Sequence, residues 1–553
     1  MTKSALQIAR ASYAPKMPSE LRGNIKIVEG GATESLSDQE EIKKLFPNTY
    51  GLPIIKFVKD EGEVGISEPL NMGVILSGGQ APGGHNVIAG IFDGIKKLNK
   101  DSKLYGFLLG PAGLVNHNYI ELTSEIIDEY RNTGGFDIIG SGRDKLETKE
   151  QFDKGLEILK KIDIKTLVII GGDDSNTNAA VLAEYYKSIN AGVQVIGCPK
   201  TIDGDLKNDY IETSFGFDTA CKVYSELIGN IQRDCNSARK YWHFIKVMGR
   251  SASHIALECA LQTHPNICIV SEEVEANESS LDDIVEYIAG VIANRAEQGL
   301  NFGSVIIPEG LIEFIPAIKN LISELNDFLA HNQEEFDLVR RSAKREYIIS
   351  KLSPANSEIY ASLPDTVARQ LTLDRDPHGN VQVSQIETEK LLAEMVSKKL
   401  KQWAEEGKYV GKFASITHFF GYEGRCAAPS NYDTDYCYAL GYTAAMLAAA
   451  GKTGYISSVR NTTAKAEDWV AGGVPTTMML NLERRHGEMK PVIQKALVEL
   501  EGEPFLYFKS KRDKWALETD YVYPGPIQYF GPAEVCDQPS KTLQLEQTGK
   551  VEE

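Results

Sequence analysis

In two short polar segments, Gly171-Gly172-Asp173-Asp174 and Pro199-Lys200-Thr201-Ile202-Asp203-Gly204-Asp205, four aspartates stand with one lysine. Carboxylates in this number suit Mg²⁺, and a lysine among them suits phosphate. Asp203 is placed to take a proton from an attacking hydroxyl, help typically worth ~10²–10⁴-fold in rate. Asp173 or Asp174 could instead cap a helix, and the second segment has the composition of a turn. Three later segments add polar groups: Met248-Gly249-Arg250, Pro308-Glu309-Gly310 and Tyr422-Glu423-Gly424-Arg425. The Arg250 guanidinium offers planar donors for transition-state charge. Glu309 could accept hydrogen bonds from sugar hydroxyls, and Tyr422-to-Arg425 has the form of an anion-binding loop.

These residues need strand ends and helix starts to hold them. The apolar runs Thr166–Ile170 and Val193–Ile196 read as strands joined by a helix, so both acidic segments fall at carboxyl ends of strands, where open parallel sheets bind ligands. Val74–Leu76, Leu104–Gly110 and Asp137–Arg143 are further strand candidates. Ser77–Gly84 is a glycine-rich loop before a helix whose apolar residues run from Val87 to Leu98 at helical spacing. It fits neither GxGxxG nor GxxxxGK[ST], but its backbone N–H groups can meet an anion at a helix start. A second α/β set is expected from strands at 243–248, 266–270, 303–307 and 413–421 and helices at 217–232 and 251–262. Between them, residues 311 to about 405 are charge-rich and helix-patterned, with Arg340, Arg341, Lys344 and Arg345 as a solvated face. Ser384 to Glu387 has capping-box form ahead of a helix reaching about Lys401.

The length of 553 residues implies two or more domains. Hydrophobic content of 42% and charged content of 25% describe an ordinary globular chain. A net charge of −18 argues against nucleic acid or an anionic membrane as partner. The eight cysteines form no CxxC pair and the N-terminus has no apolar h-region, so a soluble, cytoplasmic protein with reduced thiols is expected.

Taken in order, SGGQAPGGHN, GGDDSNTNAA, PKTIDGD, GFDTA, MGRSASHIALECA, PEG and HFFGYEGR resemble the phosphofructokinases, and closely the long-chain diphosphate-dependent class, over roughly residues 70–490. The resemblance implies the two-domain α/β phosphofructokinase fold with a helical insertion. It implies Mg²⁺ and reversible transfer between fructose 6-phosphate with diphosphate and fructose 1,6-bisphosphate with phosphate, in glycolysis and gluconeogenesis. An ATP-dependent phosphofructokinase and a catalytically silent regulatory subunit of the same fold are the alternatives. ATP-using relatives carry GGDG and PGTID where this chain has GGDD and PKTID. Asp174 thus puts a carboxylate where ATP would lie, a like-charge contact costing several kcal/mol. Lys200 brings a cation towards the diphosphate instead.

By the same resemblance Asp203 matches the proton acceptor, Asp205 a second carboxylate, Asp173 the Mg²⁺ ligand and Gly79 a diphosphate contact. Thr201, Ile202, Met248, Gly249, Arg250, Glu309, Tyr422 and Arg425 match the fructose 6-phosphate site. Lys240 and Tyr241 match positions reaching a neighbouring subunit's substrate, which implies a homodimer with shared sites. Ser141 and Arg143 match a segment near the ATP phosphates of relatives. The implied division is an N-terminal extension at 1–68, a diphosphate- and Mg²⁺-binding domain at 69–215 plus about 425–490, and a sugar-phosphate domain at 216–310 plus about 405–424. A helical insertion at 311–404 and a C-terminal segment at 491–553 complete it; the last fifty residues show no assignable chemistry.

Overall fold

The computed structural model describes residues 4–62, 64–372, 385–485 and 488–525. Its first strands are β1 (Asn24–Ala32), β2 (Pro53–Asp60), β3 (Met72–Leu76), β4 (Leu104–Phe107), β5 (Tyr119–Glu121), β6 (Thr166–Gly171) and β7 (Gln194–Pro199). The chain then builds a second sheet from β8 (Trp242–Val247), β9 (Ile267–Cys268), β10 (Gly303–Pro308) and β11 (Ser415–Phe420). It returns for β12 (Tyr455–Arg460) and β13 (Val470–Pro475), followed by the hairpin β14 (Leu480–Arg485) and β15 (Glu488–Ile493).

The larger sheet has the order β1-β2-β13-β12-β7-β6-β3-β4-β5, and the smaller β11-β8-β10-β9. The centre of the larger sheet and all of the smaller one are parallel. Every residue of β3, β6, β8 and β10 is buried, as strands covered by helices on both faces require. Residues 24–60 extend the larger sheet: β2 lies antiparallel to β13 through Gly472 and Gly473. A Cβ on Gly472 would meet the Ile55 carbonyl at 2.0 Å, so glycine permits that edge to close.

The segment Asp137–Arg143 is not a strand. It runs through turns and touches the sheet in one bridge, Gly142 to Ser77. Gly140 takes φ +67° and a Cβ on Gly142 would sit 2.3 Å from the Leu109 carbonyl, a path that extended backbone cannot follow. Likewise β4 stops at Phe107, because Leu109 and Gly110 turn with positive φ, and the expected strand at 266–270 shrinks to Ile267–Cys268.

The described residues between 311 and 405 form helices as expected, the longest being Pro316–Leu338 and Thr388–Glu405. They share one apolar core with Trp242, Phe244, Val305 and Ile307 of the smaller sheet. Inside this contact Lys246 of β8 pairs with Glu389 at 3.3 Å and donates to the Ile386 carbonyl at 2.7 Å. Ser384 lies outside the described residues, and Glu387 occupies the N-cap position of Thr388–Glu405. Arg345 is not merely a solvated cation, since it donates to the Ala361 and Leu363 carbonyls at 2.8 and 2.7 Å, at the carboxyl end of the helix Pro354–Ser362. The seven described cysteines are free thiols, all buried except Cys426; Cys536 lies outside the described residues. Among the described residues no helix is long and apolar enough to cross a membrane.

Candidate active site

β6 is apolar and β-branched until Gly171 and Gly172, after which the helix Asp173–Ser188 begins. Gly172 is the N-cap, so Asp173 and Asp174 stand in the first turn and neither caps the helix with its side chain. Carboxylates there face the positive end of the helix dipole. Asn176 fixes the turn by donating to the Gly171 and Gly172 carbonyls at 2.6 and 2.9 Å.

β7 ends next to β6, and the Lys200 N–H continues the pairing by donating to the Gly171 carbonyl at 2.9 Å. The two acidic segments therefore open on one side of the sheet. The buried Lys200 side chain donates to the Gly79 carbonyl at 2.6 Å, tying it to the first glycine loop. Burial, then the nearby Arg425, pulls the Lys200 ammonium down to about 7. Burial, then Asp203, pushes the Asp205 carboxyl upward. Gly204, at φ +74°, turns the chain between Asp203 and Asp205.

The second lobe supplies the opposite wall. Gly249, at φ +119°, turns the chain after Met248 and donates its N–H to Glu309 Oε2 at 3.2 Å. A Cβ on Gly310 would lie 1.8 Å from the Arg250 carbonyl, so the loops after β8 and β10 pack backbone against backbone. Burial, then Asp203, pushes the Glu309 carboxyl above its usual range. Tyr422–Arg425 is one helical turn after β11, braced by Tyr224 donating to the Gly421 carbonyl at 2.5 Å. A Cβ on Gly79 would lie 2.7 Å from Arg425 Nη2, so this arginine reaches across to the glycine loop of the first lobe.

The result is one cleft of about 230 Å³. It brings together Gly79, Asp173, Asp174, Lys200, Thr201, Asp203, Asp205, Met248, Arg250, Glu309, Tyr422 and Arg425. Two expected residues contribute only through backbone or neighbours: the Ile202 side chain is buried in the core, and Gly249 holds Glu309. Lys240 and Tyr241 do not line this cleft. They precede the first residue of β8, while Met248 follows its last, a separation of roughly 20 Å along a strand.

Arg143, Lys145 and Lys495 also line the cleft. Lys145 pairs with Asp174 at 3.1 Å. Lys495 stands 3.6 Å from Asp173 and 3.9 Å from Asp205. Sequence reasoning missed both lysines: the only local signal for Lys145 is its place two residues after Arg143, and nothing local marks Lys495. Arg143 had a matched position without an assigned role; Ser141 is absent from the cleft lining.

A two-lobed α/β protein with carboxylates, a buried lysine and arginines meeting between its lobes belongs to the phosphoryl-transfer enzymes. The chain belongs to the phosphofructokinase family, whose model matches residues 71–448. It is 68% identical over its full length to all of a Porphyromonas gingivalis protein named pyrophosphate–fructose 6-phosphate 1-phosphotransferase. A Treponema pallidum protein of that name is 55% identical, with 99% of this chain and 97% of the relative covered. The beta subunit of that name from Solanum tuberosum is 53% identical, with 98% and 94% covered. The fold is also that of a crystal structure from Marinobacter aquaeolei titled pyrophosphate-dependent phosphofructokinase, at TM-score 0.53 and 17% identity, covering 82% of this chain and 93% of the other.

Proposed function

We infer that the chain catalyses reversible transfer of a phosphoryl group from diphosphate to the 1-hydroxyl of fructose 6-phosphate, giving fructose 1,6-bisphosphate and phosphate. The observation that carries this reading is the buried Lys200, held against Gly79 in the same cleft as Asp174. A cation and an anion so placed favour a small, highly charged donor and repel the phosphates of a nucleotide. The names of the full-length relatives agree with it.

Asp203 is the base: it takes the proton of the 1-hydroxyl as the new O–P bond forms and the bridging P–O bond of diphosphate breaks. Inorganic phosphate leaves. Arg250 and Arg425 hold the sugar phosphate and developing charge, and Glu309 accepts from sugar hydroxyls. Met248, Gly249, Thr201, Ile202 and Tyr422 shape that pocket. Gly79 and Lys200 hold diphosphate, Asp174 excludes ATP, and Asp205 is the second carboxylate.

The donor set fits Mg²⁺. That ion takes one or two carboxylates and completes its shell with water and substrate phosphates, and no group of three or more His, Cys, Asp or Glu able to hold a metal occurs among the described residues. Asp173 would hold it, and bound there it would neutralise phosphoryl charge. The chain works as a cytoplasmic homodimer in which Lys240 and Tyr241 serve the neighbour's site. That reading is supported by their place at the far end of β8 and by the reduced thiols.

Purified protein with Mg²⁺ and fructose 6-phosphate is expected to turn over with diphosphate and hardly with ATP. Preference for ATP would overturn the donor assignment.

A further inference from the structure

From Ile493, the last residue of β15, the chain crosses the cleft as a strap. Ile493 N–H donates to Thr177 Oγ1 at 3.1 Å, in the helix that carries Asp173, and Ala496 N–H donates to the Asp205 carbonyl at 2.7 Å. On the other lobe His254 Nε2 meets the Ala496 carbonyl at 2.9 Å, and Val498 N–H donates to Glu272 Oε1 at 3.0 Å. Glu272 Oε1 also accepts from Ser253 N–H, two residues after Ser251. With its backbone neighbours tied to both lobes, Lys495 projects into the space between them. Its Nζ donates to Ser251 Oγ at 2.7 Å and faces Asp173 Oδ2 at 3.6 Å and Asp205 Oδ2 at 3.9 Å. Its side chain is 26% exposed, and those of Asp173 and Asp205 are 20% and 6% exposed. Charges this close and this poorly solvated interact strongly.

The carboxylate assigned to the metal is therefore already paired with a cation of the chain itself. Mg²⁺ sheds water reluctantly and gains most from substrate phosphates. We propose that Lys495 is a positioning residue that acts as an internal counter-cation at Asp173 and Asp205 in the free enzyme, so that the divalent ion joins only together with diphosphate. The ammonium turns from Asp173 to the incoming diphosphate, a charge-assisted contact that lysine suits, and Asp173 becomes available as a ligand. The inference rests on the assignment of Asp173 to the metal.

The test is titration of Mn²⁺ alone into the metal-free, full-length enzyme, with free Mn²⁺ read by electron paramagnetic resonance. Wild type is expected to bind weakly. Lys495→Gln, which keeps a donor for Ser251, is expected to bind about tenfold or more tightly, and Lys495→Arg like wild type. A strap lock without this electrostatic role would leave Mn²⁺ affinity unmoved, and an unchanged or weaker affinity in folded Lys495→Gln overturns the proposal. If that variant does not fold, Lys495→Met decides by the same titration of Mn²⁺ alone: about tenfold or tighter binding is expected, and an unchanged or weaker affinity overturns the proposal. ATP preference in the donor assay would overturn the donor assignment alone, since the Mn²⁺ titration of free enzyme uses no donor.

Discussion

Lys200 Nζ donates to the Gly79 carbonyl at 2.6 Å, joining the loop after β7 to the loop after β3. This one bond holds the Lys200 side chain against the glycine loop, and burial there lowers its pKa to about 7.

The sign of the resulting pH effect can be worked out. At pH 8 the Lys200 of free enzyme is mostly neutral, because its folded-state pKa lies below the pH. A bound diphosphate favours the ammonium and raises that pKa, so binding takes up protons. Calorimetry at pH 8 in two buffers of different ionisation enthalpy is expected to show uptake in wild type. Lys200→Met is expected to show less, and equal uptake in the two proteins would remove Lys200 as the titrating group.

If Asp203 is the base, as proposed, Asp203→Ser is expected to lower kcat by ~10²–10⁴-fold with an unchanged melting temperature. A near-normal rate would exclude it as the base. If sites are shared, mixing this inactive protein with a Lys240→Ala/Tyr241→Ala protein restores activity. The mixed dimer then holds one site with Asp203 from one chain and Lys240 and Tyr241 from the other. No recovery after subunit exchange would argue that each chain works alone.

Asp174 is held by Lys145 at 3.1 Å in the cleft. Asp174→Gly with Lys200→Gly removes both the carboxylate proposed to repel ATP and the cation proposed to hold diphosphate. The ratio of kcat/KM for ATP to that for diphosphate is expected to rise about tenfold or more, the effect of one lost like-charge contact. An unmoved ratio would place donor choice elsewhere.

The Lys246–Glu389 pair joins β8 to the helical insertion, with side chains only 2% and 6% exposed. Glu389→Leu takes the carboxylate from a buried ammonium and is expected to lower stability by about 3 kcal/mol or more in denaturant unfolding. Lys246→Met with Glu389→Leu should recover much of that loss, because the uncompensated charge is gone. A single variant as stable as wild type would show that other partners carry Lys246.

Much of the site was legible because its parts are local. A β-branched run, a double glycine and two aspartates dictate strand, turn and first helical turn within ten residues, and β6 with Asp173 and Asp174 follows that reading. The same holds for Met248-Gly249-Arg250 and Pro308-Glu309-Gly310, each placed by the end of its own strand. The segment 137–143 misled for a local reason as well: its apolar residues suit a strand, while the backbone is bent by close approach to Leu109, more than two dozen residues earlier.

What the sequence by itself determined was the chemistry available at each strand end: carboxylates and a lysine on one lobe, arginines and a glutamate on the other. Only the tertiary structure decided how those ends face one another, with Arg425 over Gly79 and Lys200 against its carbonyl. It also placed residues 24–60 on the edge of the larger sheet and brought Lys495 to Asp173 from more than three hundred positions away. Strand and turn preferences act over a few neighbouring residues. A charge pair such as Lys495–Asp173 depends on the whole chain closing around it, and no short stretch of sequence records that distance.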